Sequence, residues 1–170
     1  NIHPPVKQAA AQIDTSNLGA MLQKADDYIH PKAGEKQDFA IAALLLKKVL
    51  LTSQAAGALN WQYKVYLKYG QLYGKQRLHI AQSSAYENAI AISKRMNSKP
   101  LEANAWFAYY KNVPDTVADY RNKSFFLRAQ TAYRLSREID NNVEQHYRAA
   151  QLLREMADFH LEEEQFDLAI

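Results

Sequence analysis

Apolar residues recur along this chain with a helical period of about 3.6 residues, and no stretch sustains the period of two that strands require. The first apolar stripe runs from Leu18 to Ile29, and Pro31 ends it. The second stripe covers more than one helix face, so we expect neighbouring elements to bury it widely. The pattern predicts an all-α chain of antiparallel helix pairs. About eight helices are expected, at residues 18–29, 36–55, 61–74, 76–96, 99–112, 116–140, 144–163 and from 165 onward.

Two of the predicted helices share one spacing of large and small residues. The third helix carries the pattern Y-x-x-Y-G-x-x-Y from Tyr66 to Tyr73, and the seventh carries L-x-x-M-A-x-x-H from Leu153 to His160. The small residue, Gly70 or Ala157, occupies the same place in both patterns. A small side chain at that place lets the second helix of a pair pack close to the first.

This spacing resembles that of the tetratricopeptide repeat family, over about residues 61–170. The interval from Ala129 to Ala169 is 40 residues, longer than the usual period of about 34, and is similar to the longer-period variety of bacterial signalling proteins. Two residues depart from the family pattern: Gln82 occupies a position where a small residue is expected, and His160 replaces the usual aromatic residue. The resemblance implies helix pairs stacked as a right-handed superhelix.

The same resemblance divides the chain into three parts. Residues 1–13 are expected to be an irregular lead-in. Residues 14–57 are predicted to form an N-terminal helical pair that is either a degenerate repeat or a cap. Residues 58–170 are predicted to carry the tetratricopeptide-like repeats, of which the last is truncated and the middle one is distorted around Pro114.

The truncated last hairpin should have an exposed apolar edge. Its second helix carries Phe166, Leu168 and Ile170 but has too little length to bury them. We therefore expect a homodimer, or aggregation, through this end of the chain.

A stack of such pairs is expected to bind a protein or peptide segment. The resemblance implies a concave groove lined by the first helix of each pair, with amine, guanidinium and amide donors that suit an acidic or carboxylate-bearing peptide. The alternative is that these side chains belong to ordinary solvated helix faces. The groove prediction names Lys64, Leu67, Gln71 and Lys75 on the third helix, Asn104, Phe107 and Lys111 on the fifth, and Gln151, Arg154 and Asp158 on the seventh.

The chain is rich in tyrosine, with 11 in all. Tyrosines at core positions of the pattern are expected to be packing residues, and the alternative is an aromatic-lined ligand pocket. The densest aromatic cluster, Trp106, Tyr109 and Tyr110, is the candidate for a small-ligand site. A pocket there would suit a second hypothesis, in which the chain is a small-molecule-sensing input domain that controls an attached enzymatic output domain.

Composition argues against several other classes of function. The absence of cysteine excludes disulfides and thiolate sites and leaves the compartment open between cytoplasm and periplasm. No histidine pair has metal-ligand spacing and no nucleotide-binding or hydrolase motif occurs, so we expect no enzyme, no catalytic residue, no metal and no cofactor. The net charge of +3 is too small to favour nucleic acid. The most apolar run, 39–51, is too short to span a membrane.

The leading interpretation is therefore a protein- or peptide-binding scaffold module. The family resemblance places it as the sensory or interaction part of a larger bacterial signalling or assembly protein.

Overall fold

The computed structural model describes residues 15–112 and, separately, Arg154. Over this part the chain is all-α, as predicted, and residues 15–112 contain no strand. The five helices of this part match the first five that the hydrophobic pattern predicts. The predicted sixth to eighth helices, the lead-in at 1–13 and the truncated hairpin lie outside the described residues. The helices are α1 (Leu18–Ile29), α2 (Phe39–Ala55), α3 (Leu59–Lys75), α4 (His79–Arg95) and α5 (Lys99–Asn112).

The loop between α1 and α2 is longer than the other connections. Gly34 adopts a φ of 89° in its turn, and Gln37 donates its side-chain amide to the Ile29 carbonyl oxygen at 2.9 Å, which caps the end of α1. α2 begins at Phe39, three residues later than predicted. The reason is Asp38, whose carboxylate accepts the Ile41 amide at 3.0 Å and so fixes the N-terminus of the helix.

The connections after α2, α3 and α4 adopt the same turn. Its second residue has a left-handed backbone conformation: Gly57 with φ 65°, Arg77 with φ 59° and Asn97 with φ 51°. The third residue of each turn donates its amide to the carbonyl five residues earlier, at 2.8 to 3.0 Å. These are Schellman motifs, which satisfy the last carbonyls of one helix and start the next at once.

The shared turn sets an even spacing of helices along the chain. α2, α3 and α4 have 17 residues each, and successive helices begin 20 residues apart, at Phe39, Leu59, His79 and Lys99. α3 thus begins two residues before the predicted Trp61. No side chain caps this start, and the turn before it sets where the helix begins.

The five helices form two layers. Each helix packs against the next one along the chain, and in addition α1 contacts α3 and α3 contacts α5. By contrast, no Cα atom of α2 lies within 8 Å of a Cα atom of α4. The odd-numbered helices therefore form a continuous layer, and α2 and α4 cover it without touching each other along their backbones.

α3 joins two hydrophobic cores. Its residues Val65 and Leu72 are buried in the core that it shares with α1 and α2, where Leu46 and Ile29 are also fully buried. Tyr63 belongs to the second core, which α3 shares with α4 and α5. Because α3 contributes residues to both cores, the two cores cannot move apart unless α3 loses its contacts with one of them.

The close approach of α3 and α4 depends on Gly70. A Cβ atom at Gly70 would lie 2.5 Å from the Tyr86 ring. Gly70→Ala should therefore lower the free energy of unfolding by roughly 1–3 kcal/mol through overpacking, measured by denaturant unfolding. The matched control is Gly19→Ala in α1, where the nearest atom, on Trp61, would be 3.4 Å away, so that stability should stay level or rise. Equal losses in both variants would contradict this packing.

Candidate functional site

The predicted groove residues of α3 lie on one side of that helix. Lys64 and Lys75 are exposed, and Leu67 and Gln71 between them are half-buried. The Lys64 ammonium lies 4.6 Å from the centre of the Trp61 ring, a cation–π contact that holds it along the helix surface. This face of α3 therefore offers two accessible cations with a partly apolar surface between them.

An ion pair connects α3 to α1. Lys68 Nζ lies 2.7 Å from Asp26 Oδ1, with both side chains about a quarter exposed. The Asp26 carboxylate also lies 4.0 Å from His30 Nε2 one turn along α1. The pair neutralises the charge of Lys68 and leaves Lys64 and Lys75 as the cations of this face of α3. The pair could not be predicted from the sequence, because the partners are 42 residues apart and no local pattern relates them.

The predicted groove residues of α5 have different environments. Asn104 donates its amide to the Tyr63 hydroxyl at 3.0 Å, and that hydroxyl donates to the Leu101 carbonyl at 2.9 Å. Asn104 thus ties α5 to α3. Lys111 is exposed, whereas Phe107 is only 2% exposed and packs in the core of α3, α4 and α5, so we do not include it in the proposed groove.

Of the three residues predicted on the seventh helix, only Arg154 lies in the described part of the chain. It is helical and exposed. Gln151 and Asp158 lie outside the described residues.

The aromatic cluster predicted as a small-ligand site is largely packed inside the protein. Trp106 is 9% exposed and Tyr109 is 6% exposed, and both belong to the core of α3, α4 and α5. The Tyr109 ring stacks on Tyr86, with centroids 5.4 Å apart. The side chain of Tyr110 lies outside the described part. The two described rings therefore act as packing residues, and the small-ligand role stays a prediction.

Buried polar side chains stabilise two helix junctions, the one between α2 and α3 and the one between α4 and α5. Gln62, at the start of α3, donates its amide to the Ser53 carbonyl at the end of α2, at 3.1 Å. Glu102, 40 residues later at the start of α5, accepts from Lys99 at 2.7 Å and lies 3.9 Å from Lys94 of α4. Both are less than a tenth exposed. Their hydrogen-bond and ion-pair partners make them structural groups, and Glu102 therefore does not suggest a catalytic carboxylate.

A row of tyrosines, expected to be core residues, lines an open cavity. Tyr66, Tyr69 and Tyr73 are half-buried along one face of α3 and border a cavity of about 300 Å³. Burial raises the pKa of Tyr69 to about 12, and the neighbouring Tyr73 and Tyr66 contribute in the same direction. The Tyr69 phenol thus stays protonated and neutral over the physiological range.

Comparison with known proteins identifies no relative. No protein-family model matches the chain, and neither a curated protein nor a solved structure matches it significantly. Among residues 15–112 and Arg154, no helix has the length and apolar character needed to cross a membrane. The function must therefore be argued from the surface geometry described above.

The hydrogen-bonded Tyr63 should make stability depend on alkaline pH. Burial raises the pKa of Tyr63 from 10.0 to about 12, although the Asn104 hydrogen bond opposes this. The unfolded chain therefore releases the proton first. The contribution of neutral Tyr63 to the free energy of unfolding is complete below pH 10 and is lost as pH rises through 12. Denaturant unfolding across this range should show a smaller loss in Tyr63→Phe than in the wild type. An identical pH dependence in both proteins would contradict the assignment.

Proposed function

We propose that this chain is a protein- or peptide-binding scaffold, built as a curved stack of tetratricopeptide-like helix pairs. The observation that carries the proposal is the unequal spacing of the two layers. α3 contacts both α1 and α5, while α2 and α4 stay apart. When two joined layers have different spacings, the stack bends toward the more closely spaced layer. The face of α1, α3 and α5 is therefore proposed as the inner, concave side.

Two further features support the tetratricopeptide-like arrangement. α3 and α5 begin 40 residues apart, which is the long period that the spacing of Ala129 and Ala169 suggests. Gly70, the small residue of the motif in α3, lies directly against the Tyr86 ring of α4. This is the role expected of a small residue that lets the second helix of a pair pack close.

The charge of the inner face favours an acidic partner. Lys64 and Lys75 on α3 and Lys111 on α5 are exposed, and the acidic Asp26 of α1 is already paired with Lys68. Ammonium groups around a partly apolar centre at Leu67 suit an extended segment that presents carboxylates and an apolar side chain. We propose such a segment of another protein as the ligand.

The wider role follows the family resemblance. We propose that the module is the sensory or interaction part of a larger bacterial signalling or assembly protein and has no catalytic activity of its own. The alternative of a small-molecule input domain gains no support at Trp106 and Tyr109, because both rings are packed in the core.

A charge-reversal pair tests the groove. With labelled oligoglutamate as the probe and fluorescence anisotropy as the readout, Lys64→Glu combined with Lys75→Glu should weaken binding by about tenfold or more. The matched control is Lys47→Glu combined with Lys48→Glu, which changes the net charge equally but on exposed positions of α2. At physiological salt, charges act over only about 8 Å, so the control should bind almost as the wild type does.

The groove assignment is tested by comparing the oligoglutamate affinities of the two double variants. Equal losses in both would mean that oligoglutamate is attracted only by overall charge, and the groove assignment would be wrong. Melting curves of both variants should lie close to that of the wild type, because all four lysines are exposed and the loss of the Lys64–Trp61 contact costs only about 0.5–1 kcal/mol.

A further inference from the structure

The gap between α2 and α4 contains a cavity on the outer layer, away from the groove proposed above. Its floor is the tyrosine row of α3, and its walls are Leu50 of α2 and four residues of α4. The α4 wall of this cavity is built mainly of small side chains. The residues of that wall are Ala81, Ser84, Ala85 and Asn88.

The α2 residues 40 positions before three of these α4 residues are much larger. Ile41, Leu44 and Leu45 precede Ala81, Ser84 and Ala85 at this interval. The small side chains of α4 leave open space against the tyrosine row and so contribute to the cavity.

The floor is a preorganised aromatic surface. The rings of Tyr69 and Tyr73 are stacked with centroids 5.4 Å apart and planes 13° from parallel. The Tyr66 ring adjoins Tyr69 at 6.5 Å and is tilted by 47°. Because these rings already contact one another, little side-chain freedom remains to be lost when a ligand covers them.

The lining of the cavity selects an uncharged ligand. No Asp, Glu, Lys or Arg is among the described residues that border it, and the Tyr69 phenol carries no charge at neutral pH. The polar groups present are tyrosine and serine hydroxyls and the Asn88 side chain. The site thus combines aromatic rings with hydroxyl donors, which suits a ligand with rings and unpaired carbonyl oxygens.

We propose that this outer groove, bordered by α2, α3 and α4, binds a proline-rich segment of a partner protein in the polyproline II conformation. Tyr66 and Tyr73 are seven residues apart, a rise of about 10.5 Å along α3. One turn of polyproline II rises about 9.3 Å, so successive prolines of one edge match the length of the tyrosine row. The backbone carbonyls of this helix have no internal partners and can accept from the tyrosine hydroxyls.

The size of the cavity disfavours a helical ligand. An α-helix with its side chains is about 10–12 Å across, and a volume of about 300 Å³ accommodates only a few residues of any chain. A polyproline II segment is narrower than an α-helix, and its successive proline rings can pack against the tyrosine row. A second copy of this chain is the other occupant that the experiment must separate.

The test uses the full chain, fluorescein-labelled oligoproline as the probe and anisotropy as the readout. Ser84 is exposed, so Ser84→Phe should fill the groove without disturbing the core and should weaken binding by about tenfold or more. The matched control is Glu87→Phe, an exposed position of α4 that does not line the cavity, and it should bind as the wild type does. Tyr69→Phe should weaken binding by a smaller factor, since it keeps the ring and removes one hydroxyl.

Three outcomes would overturn the proposal. They are no binding of oligoproline, equal binding of a probe in which the prolines are replaced by alanine, and equal binding by the Ser84→Phe and wild-type proteins. Self-association that Ser84→Phe abolishes, without oligoproline binding, would assign the groove to a second copy. The Lys64→Glu and Lys75→Glu double variant should retain full oligoproline binding, so that failure of the acidic-peptide groove stays distinguishable from failure of this one.

Discussion

The geometry of this protein depends on one repeated backbone constraint, the left-handed residue that follows each of α2, α3 and α4. Gly57, Arg77 and Asn97 reverse the chain by the same hydrogen-bonded turn, so each new helix starts at a fixed distance from the last. Equal helices of 17 residues then alternate between two layers. Because glycine occupies only the first of these positions, packing between the helices must hold the other two turns in a conformation that is costly for a side chain.

Packing around α3 connects the turns to the surfaces. The helix contributes to both hydrophobic cores. It also makes a polar contact with each neighbouring odd-numbered helix: Lys68 pairs with Asp26 of α1, and the Tyr63 hydroxyl donates to the Leu101 carbonyl of α5. These contacts draw the odd-numbered helices together. The same arrangement leaves α2 and α4 apart, so one geometric fact underlies both the concave face proposed for acidic segments and the aromatic groove on the opposite layer.

Hydrophobic periodicity predicts the five described helices well, because burial of apolar helix faces dominates their energetics. It places the starts of α2, α3 and α4 two or three residues wrong, since those depend on the Asp38 cap and on the turns at Gly57 and Arg77. The sequence of α3 alone does not predict which of its tyrosines are buried. Their exposure depends on the size of the α4 side chains that pack against them, and the alignment of α4 with α3 is known only from the structure. The sequence pattern predicted that Lys64 and Lys75 share one side of α3, but it did not predict the Asp26–Lys68 pair that neutralises Lys68.

The central claim is that the stack bends toward α1, α3 and α5. The chain has no cysteine, so spin labels can be attached specifically to introduced pairs. Labels at Lys47 and Glu87 join equivalent positions of α2 and α4, and labels at Gln71 and Lys111 join equivalent positions of α3 and α5, both 40 residues apart. Double electron–electron resonance should give a longer mean distance for the first pair than for the second. Equal distances, or a longer distance between Gln71 and Lys111, would contradict the proposed curvature.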